Sequence, residues 1–190
     1  SYGLTKSGSG TLTLSGANDY TGTLTINAGT VALGASDVIP NGTGKGGLTV
    51  NSGATFDLGG YSDTINALNG SGVVDNDSAN NVTLTLGNSE SAHSSFSGVI
   101  RDSSTGTLAI VKTGNCWLTL SGANTYEGGT TLVGMVAMGV STVVDSGQIV
   151  SGPFGIGTVT LGNQYLLSNN SEPRTLANTL IFNGNTTKTL

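Results

Sequence analysis

The chain has 190 residues, only 9% of them charged, and a net charge of −5. An ordinary soluble domain carries ~25% charged residues, so solubility here must come from hydroxyl and amide groups. Six basic residues scattered singly cannot build the basic face a nucleic-acid partner requires, and no apolar run reaches the ~20 residues of a membrane span.

Taken in chain order, the predicted elements are short and alike. "GTLTL" at residues 10–14 returns in near copies at 22–26, 47–50, 82–86, 106–110, 118–120 and 157–161. Each alternates an apolar residue with Thr or a small residue, the period-2 pattern of a half-buried strand. Leu12 and Leu14 are expected to point inward, with Thr11 and Thr13 facing water. Between the strands stand turn signals such as Asn41-Gly42, Gly59-Gly60, Asn69-Gly70 and Ser121-Gly122. Pro40, Pro153 and Pro173 all fall outside the strand units, as a hydrogen-bonded ladder requires. No segment keeps helical periodicity over three turns.

These features predict an all-β chain. Strands of ~3–5 residues with Gly or Asn corners favour a right-handed parallel β-helix over a sandwich, which would need longer strands and hairpin turns. At about 20–25 residues per coil the chain would make roughly eight rungs stacked ~4.8 Å apart. Residues 87–98 and 141–155 break the rhythm and read as projecting loops. Residues 176–190 still look like coil. A single β-helical repeat domain spanning 1–190 is expected.

The longest repetition lies at an offset of 106 residues. Residues 6–22 and 112–128 share the string K-x-G-x-x-x-L-T-L-S-G-A-N-x-Y-x-G, and the copies extend over about 6–34 and 112–139. This string resembles the autotransporter-associated β-strand repeat, also called the passenger-associated transport repeat. "FSGVIRD" at 96–102 looks like that family's lead-in, and "FDLGGYSDTINALNGSG" at 56–72 looks like its inter-repeat coil. The resemblance implies a parallel β-helical passenger on a Gram-negative surface, with an outer-membrane β-barrel in cis in the full-length protein. It carries over no catalytic site. On this reading the chain is a fragment or mature piece of a longer protein.

A search for chemistry finds little. Glycoside hydrolysis needs two carboxylates on one face, and the acids are scattered except for Asp75-Asn76-Asp77, whose plain reading is a solvated turn. His93 is the sole histidine and sits in a Ser-rich loop. Gly42-Thr43-Gly44-Lys45-Gly46-Gly47 matches a nucleotide-binding glycine pattern, but a strand follows where a helix is needed, so it reads as a corner. Thr-x-Thr pairs at 11/13, 23/25, 83/85 and 158/160 come at irregular intervals and read as ordinary outer strand faces. Cys116 is the only cysteine, so no internal disulfide forms. Cys116 and Trp117 replace Gly10 and Thr11 in the second copy, and are expected to point one inward and one outward.

The sequence therefore points to a non-enzymatic structural or adhesive stem, secreted or at the bacterial cell surface, with no metal and no cofactor. The alternative is a filament or matrix subunit that stacks end to end. Partners would be a host or cell-surface ligand, or further copies of the chain. Expected contact residues are Trp117, Tyr20, Tyr126, His93 and Phe96, the last two from the loop that begins near Glu90.

Overall fold

The computed structural model describes residues 1–87 and 93–183. No helix occurs among them, and every strand pair but one is parallel: the exception is the hairpin Val143–Asp145 with Gln148–Ser151. The parallel strands form the three faces of a β-helix. Face I stacks Leu4–Lys6, Leu24–Ile26, Leu48–Val50, Leu68–Gly70, Ser94–Phe96 and Leu118–Leu120. Face II stacks Thr11–Leu14, Gly29–Leu33, Ala54–Asp57, Val73–Asn76 and Val99–Asp102. Face III stacks Asp63–Ile65, Val82–Leu86 and Leu108–Lys112. Two long strands, Thr130–Met138 and Val159–Ser168, turn the corner from face III to face I. Leu180–Phe182 adds a further strand to face III, beside residues 159–161.

The leucine spacing explains the register. Leu4 pairs with Leu24, Leu24 with Leu48, and Leu48 with Leu68, so one inward column is leucine in coil after coil. Leu24, Leu48 and Leu68 are fully buried. Each such side chain contributes about 1.5–3 kcal/mol relative to exposure. Ser94 interrupts the column, and its buried hydroxyl accepts the Leu68 N–H at 3.0 Å. Leu14 is buried and Leu12 half-buried while Thr11 and Thr13 are exposed, as the alternation predicts.

Corners are tied by amides, carboxylates and two lysines. Asn66 accepts from the Gly42 N–H and donates to the Gly42 and Lys45 carbonyls. Asn76 donates to the Asn80 and Gly106 carbonyls. Asp63 accepts three backbone N–H groups, from Val38, Ile39 and Thr64, at 2.7–3.2 Å. The repeat's lysine does the same work in both copies. Lys6 donates to the Gly8 carbonyl and Lys112 to the Thr113 and Gly114 carbonyls. Burial lowers the Lys112 pKa.

Several expectations need correction. Asp75-Asn76-Asp77 is not a solvated turn: Asp75 and Asn76 are buried at the end of a face II strand, and Asp75 pairs with Arg101 at 2.9 Å and accepts the Ser103 N–H. Within 87–98, Ser94–Phe96 is a face I strand whose Phe96 packs in the core; residues 88–92 lie outside the described residues. Within 141–155 only the hairpin projects, because Phe154 is fully buried. That hairpin turns at Ser146 and Gly147, both at positive φ, the two-residue turn that suits a right-twisted ribbon. The Thr-x-Thr pairs stay on different faces, with Thr11 and Thr13 on face II, Thr25 on face I, and Thr83 and Thr85 on face III; a separate column of single threonines, Thr5, Thr25 and Thr49, does align across coils of 20 and 24 residues. Of 176–190, residues 180–182 form a strand and 184–190 lie outside the described residues.

The repeat itself is laid on different faces. In the first copy residues 4–6 lie on face I and 11–14 on face II. Their counterparts, 110–112 and 118–120, lie on faces III and I. The motif's glycine shows the consequence. A Cβ on Gly122 would sit 1.7 Å from the Gly98 carbonyl oxygen of the preceding coil, whereas a Cβ on Gly16 meets nothing within 4 Å. Gly122→Ala is expected to destabilise the fold by about 2 kcal/mol or more, through forced separation of two coils. Gly16→Ala should stay within about 0.5 kcal/mol of the parent. Denaturant unfolding of the two variants checks this; equal losses would refute the coil-contact role of Gly122.

Candidate contact surface

The five residues expected to make contacts separate into two groups. Trp117 and His93 come together. Ser94 pairs with Leu118 across face I, which sets His93 beside Trp117 in the position just before each strand. Leu118 and Ser94 point inward, so by alternation Trp117 and His93 point outward. His93 is exposed and Trp117 half-buried. The Trp117 backbone N–H donates to His93 Nδ1 at 3.2 Å. Cys116, one residue earlier, is buried, as the inward–outward expectation requires. Met135 follows in the same column, since Leu118 pairs with Val136.

Of the other three, Phe96 and Tyr126 are buried and Tyr20 is half-buried. Phe96 is 1% exposed and Tyr126 fully buried, both within the core cluster. Tyr126 is held by a hydroxyl contact to Thr130 Oγ1 at 2.6 Å, and Thr130 donates onward to the Phe154 carbonyl. Burial raises the Tyr126 pKa. Tyr20 occupies the matching corner of the first copy, half-buried against the core. Leu24 stands there where the second copy has Thr130, so the buried Tyr20 hydroxyl has no hydrogen-bond partner. Burial first, and the Asp63 charge second, push its pKa up to about 12. The motif's tyrosine is a corner-filling residue, because it follows an asparagine that binds the next coil. Asn124 donates to the Pro153 carbonyl and accepts from the Ile100 N–H; Asn18 donates to the Val38 carbonyl.

Trp117 and His93 border a polar deck. Next to their column on face I runs Asn69, Ser95 and Thr119 in register. One step further come Ser71, Ser97 and Ser121. None of these residues is an Asp, Glu, Lys or Arg. A second exposed feature was not picked out residue by residue from the sequence. Val143, Val144 and Val150 of the hairpin are 44–50% exposed. The signal was there, in β-branched residues on both sides of Asp145-Ser146-Gly147.

Four of the carboxylates, Asp57, Asp63, Asp75 and Asp102, are engaged in the scaffold. Asp102 accepts the Leu108 and Glu127 N–H groups, and Asp57 those of Gly59 and Asp77. Among the described residues, no three His, Cys, Asp or Glu side chains are grouped to hold a metal ion. No described helix is long and apolar enough to cross a membrane.

Comparison with known proteins agrees with the repeat. The passenger-associated-transport-repeat model matches residues 4–33 and 110–134. Over 150 residues, 78% of the chain, the sequence is 39% identical to the Adhesin BmaC autotransporter of Brucella suis biovar 1 (strain 1330). The chain spans 4% of that relative's length. No solved structure matches.

The buried carboxyls set a pH dependence. Desolvation outweighs the three amide bonds to Asp63 and raises its pKa to about 6, with Asp37 adding to the rise. Burial raises Asp57 and Asp102 in the same direction. A carboxyl whose folded pKa exceeds its unfolded value near ~3.9 favours the folded state when protonated. That contribution is fully present below about pH 4 and lost as pH rises through about 6. Chemical denaturation of the parent should show stability falling across this window, and Asp63→Asn should flatten the fall. An unchanged slope in the variant would remove Asp63 as its source.

Proposed function

We propose, on the premise that this chain is an autotransporter passenger-repeat protein, that it is a segment of rigid β-helical stem, displayed at the bacterial surface or secreted, and that its work is adhesive. The observation that carries the adhesive reading is the 39% identity to an adhesin across most of the chain. The surface chemistry supports it. Coils stacked by continuous parallel ladders resist bending and present the same outward position again and again. A stem built this way displays residues in straight columns at fixed height. Where the column changes from Gly3, Thr23, Gly47 and Ala67 to His93, Trp117 and Met135, the stem acquires a place to hold something. In the full-length protein a membrane β-barrel in cis would anchor the stem, and the work of the four scaffold carboxylates in this segment is structural.

Beads coated with the 190-residue chain should adhere to epithelial monolayers more than albumin-coated beads do. Trp117→Ala, which leaves the core columns untouched, should cut that adhesion severalfold, as loss of an aromatic anchor does. Adhesion no greater than that of albumin would sink the adhesive reading for this segment.

A further inference from the structure

The geometry points to the Trp117–His93 end of face I as a binding deck for a neutral, linear glycan. This inference rests on the adhesive reading above and names the class of ligand.

Three observations carry it. The first is the lack of charge. The strands of face I from residue 67 to 71, 93 to 97, 117 to 121 and 135 to 139 contain no Asp, Glu, Lys or Arg. An acidic polysaccharide or a phosphate group would find no cation here to meet it. The second is the pattern of donors and acceptors. Asn69, Ser95 and Thr119 form one outward row and Ser71, Ser97 and Ser121 the next, with Ser95 and Ser97 exposed. Hydroxyls both donate and accept, so a row of them matches a row of sugar hydroxyls without a fixed code; within the deck the Ser97 hydroxyl also donates to the Gly70 carbonyl and Asn69 Oδ1 accepts the Ser95 N–H. The third is the aromatic border. The Trp117 ring has an apolar face, and a pyranose has an apolar face of C–H groups. The one tryptophan of the chain lies at the edge of the hydroxyl rows, where stacking at one side and hydrogen bonding at the other can act on the same ring.

Size decides between a glycan and a protein. Rows repeat every ~4.8 Å along the axis, and outward positions lie about 7 Å apart along a strand. Three coils by three positions give a deck of about 300 Å², well under half of the ~800 Å² each partner buries in a stable protein complex. The deck also lacks arginine, one of the residues enriched at the energetic centres of protein interfaces. An extended oligosaccharide fits both the area and the axial repeat, with each sugar unit facing one coil.

Trp117 is its own reporter, because no other tryptophan contributes to the fluorescence. The 190-residue chain should be screened on an array of neutral and acidic oligosaccharides, and the best neutral linear one titrated by fluorescence and by calorimetry. A saturable change in Trp117 emission is expected. Calorimetry should show Trp117→Ala weakening binding about tenfold or more. Ser95→Lys, an exposed change that leaves the core alone, should weaken it as well, while Thr25→Lys, far along the same face, should not. Circular dichroism of each variant must match the parent. An array that lights up with acidic glycans alone, or with none, overturns the inference. So does neutral-glycan binding indifferent to both Trp117→Ala and Ser95→Lys, or sedimentation showing that the deck pairs with a second copy. If coated beads adhere to cells while the array stays blank, the ligand class fails and the adhesive reading stands. If the array responds and the beads do not adhere, the reverse holds.

Discussion

Everything in this molecule depends on bringing each coil back beside the last at the separation of a hydrogen-bonded strand. That distance, ~4.8 Å, is short enough that a side chain at a corner meets a backbone carbonyl of the coil below. Glycine is therefore required where coils touch most closely. A Cβ on Gly134 would lie 2.2 Å from the Gly114 carbonyl oxygen, at a φ of 103° and at the bulge where one long strand turns from face III to face I. Where the corner leaves backbone groups turned inward, an asparagine, an aspartate or a lysine has to meet them, because an unpaired buried donor costs about 1–3 kcal/mol. Asn66, Asn76, Asn124, Asp63 and Lys112 are that set, and all are buried.

The two copies of the repeat show what this constraint does to a recurring sequence. Their shared residues do shared work: lysine meets the carbonyl of the glycine two residues on, and asparagine reaches the next coil. Their surroundings differ. The second copy uses its glycine and the carbonyl oxygen of its asparagine against the preceding coil, and its tyrosine finds Thr130. The first copy has Leu24 in that place and an unpartnered tyrosine hydroxyl. The copies also sit one face apart around the prism, so the repeat specifies a local corner geometry and leaves the direction that corner faces to the length of chain between copies.

Function follows from the outer surface that such a scaffold leaves. Inward positions are consumed by the core and corners by backbone clamps. Only the outward position of each short strand, and its neighbours across the corner, can vary. Along face I one outward column runs Thr5, Thr25, Thr49, Asn69, Ser95 and Thr119, and the column beside it reaches His93, Trp117 and Met135. A passenger segment can thus change what it holds by changing a few outward residues, with no cost to the ladders beneath.

The sequence by itself determined the strand units, their inward and outward residues, the parallel β-helix and the repeat. It could do so because alternation and corner glycines are local: Leu24-Thr25-Ile26 states its own two faces. Trp117 and Cys116 were legible as one outward and one inward for the same reason. Only the tertiary structure decided which coil lies beside which. It set His93 against Trp117 from 24 residues away, aligned the threonines of unequal coils, and buried Tyr126, Phe96 and Asp75. Those outcomes hang on how many residues each corner takes up. Corner length is a property of the packed coils, fixed by which carbonyls and amides meet, and no short window of sequence contains it.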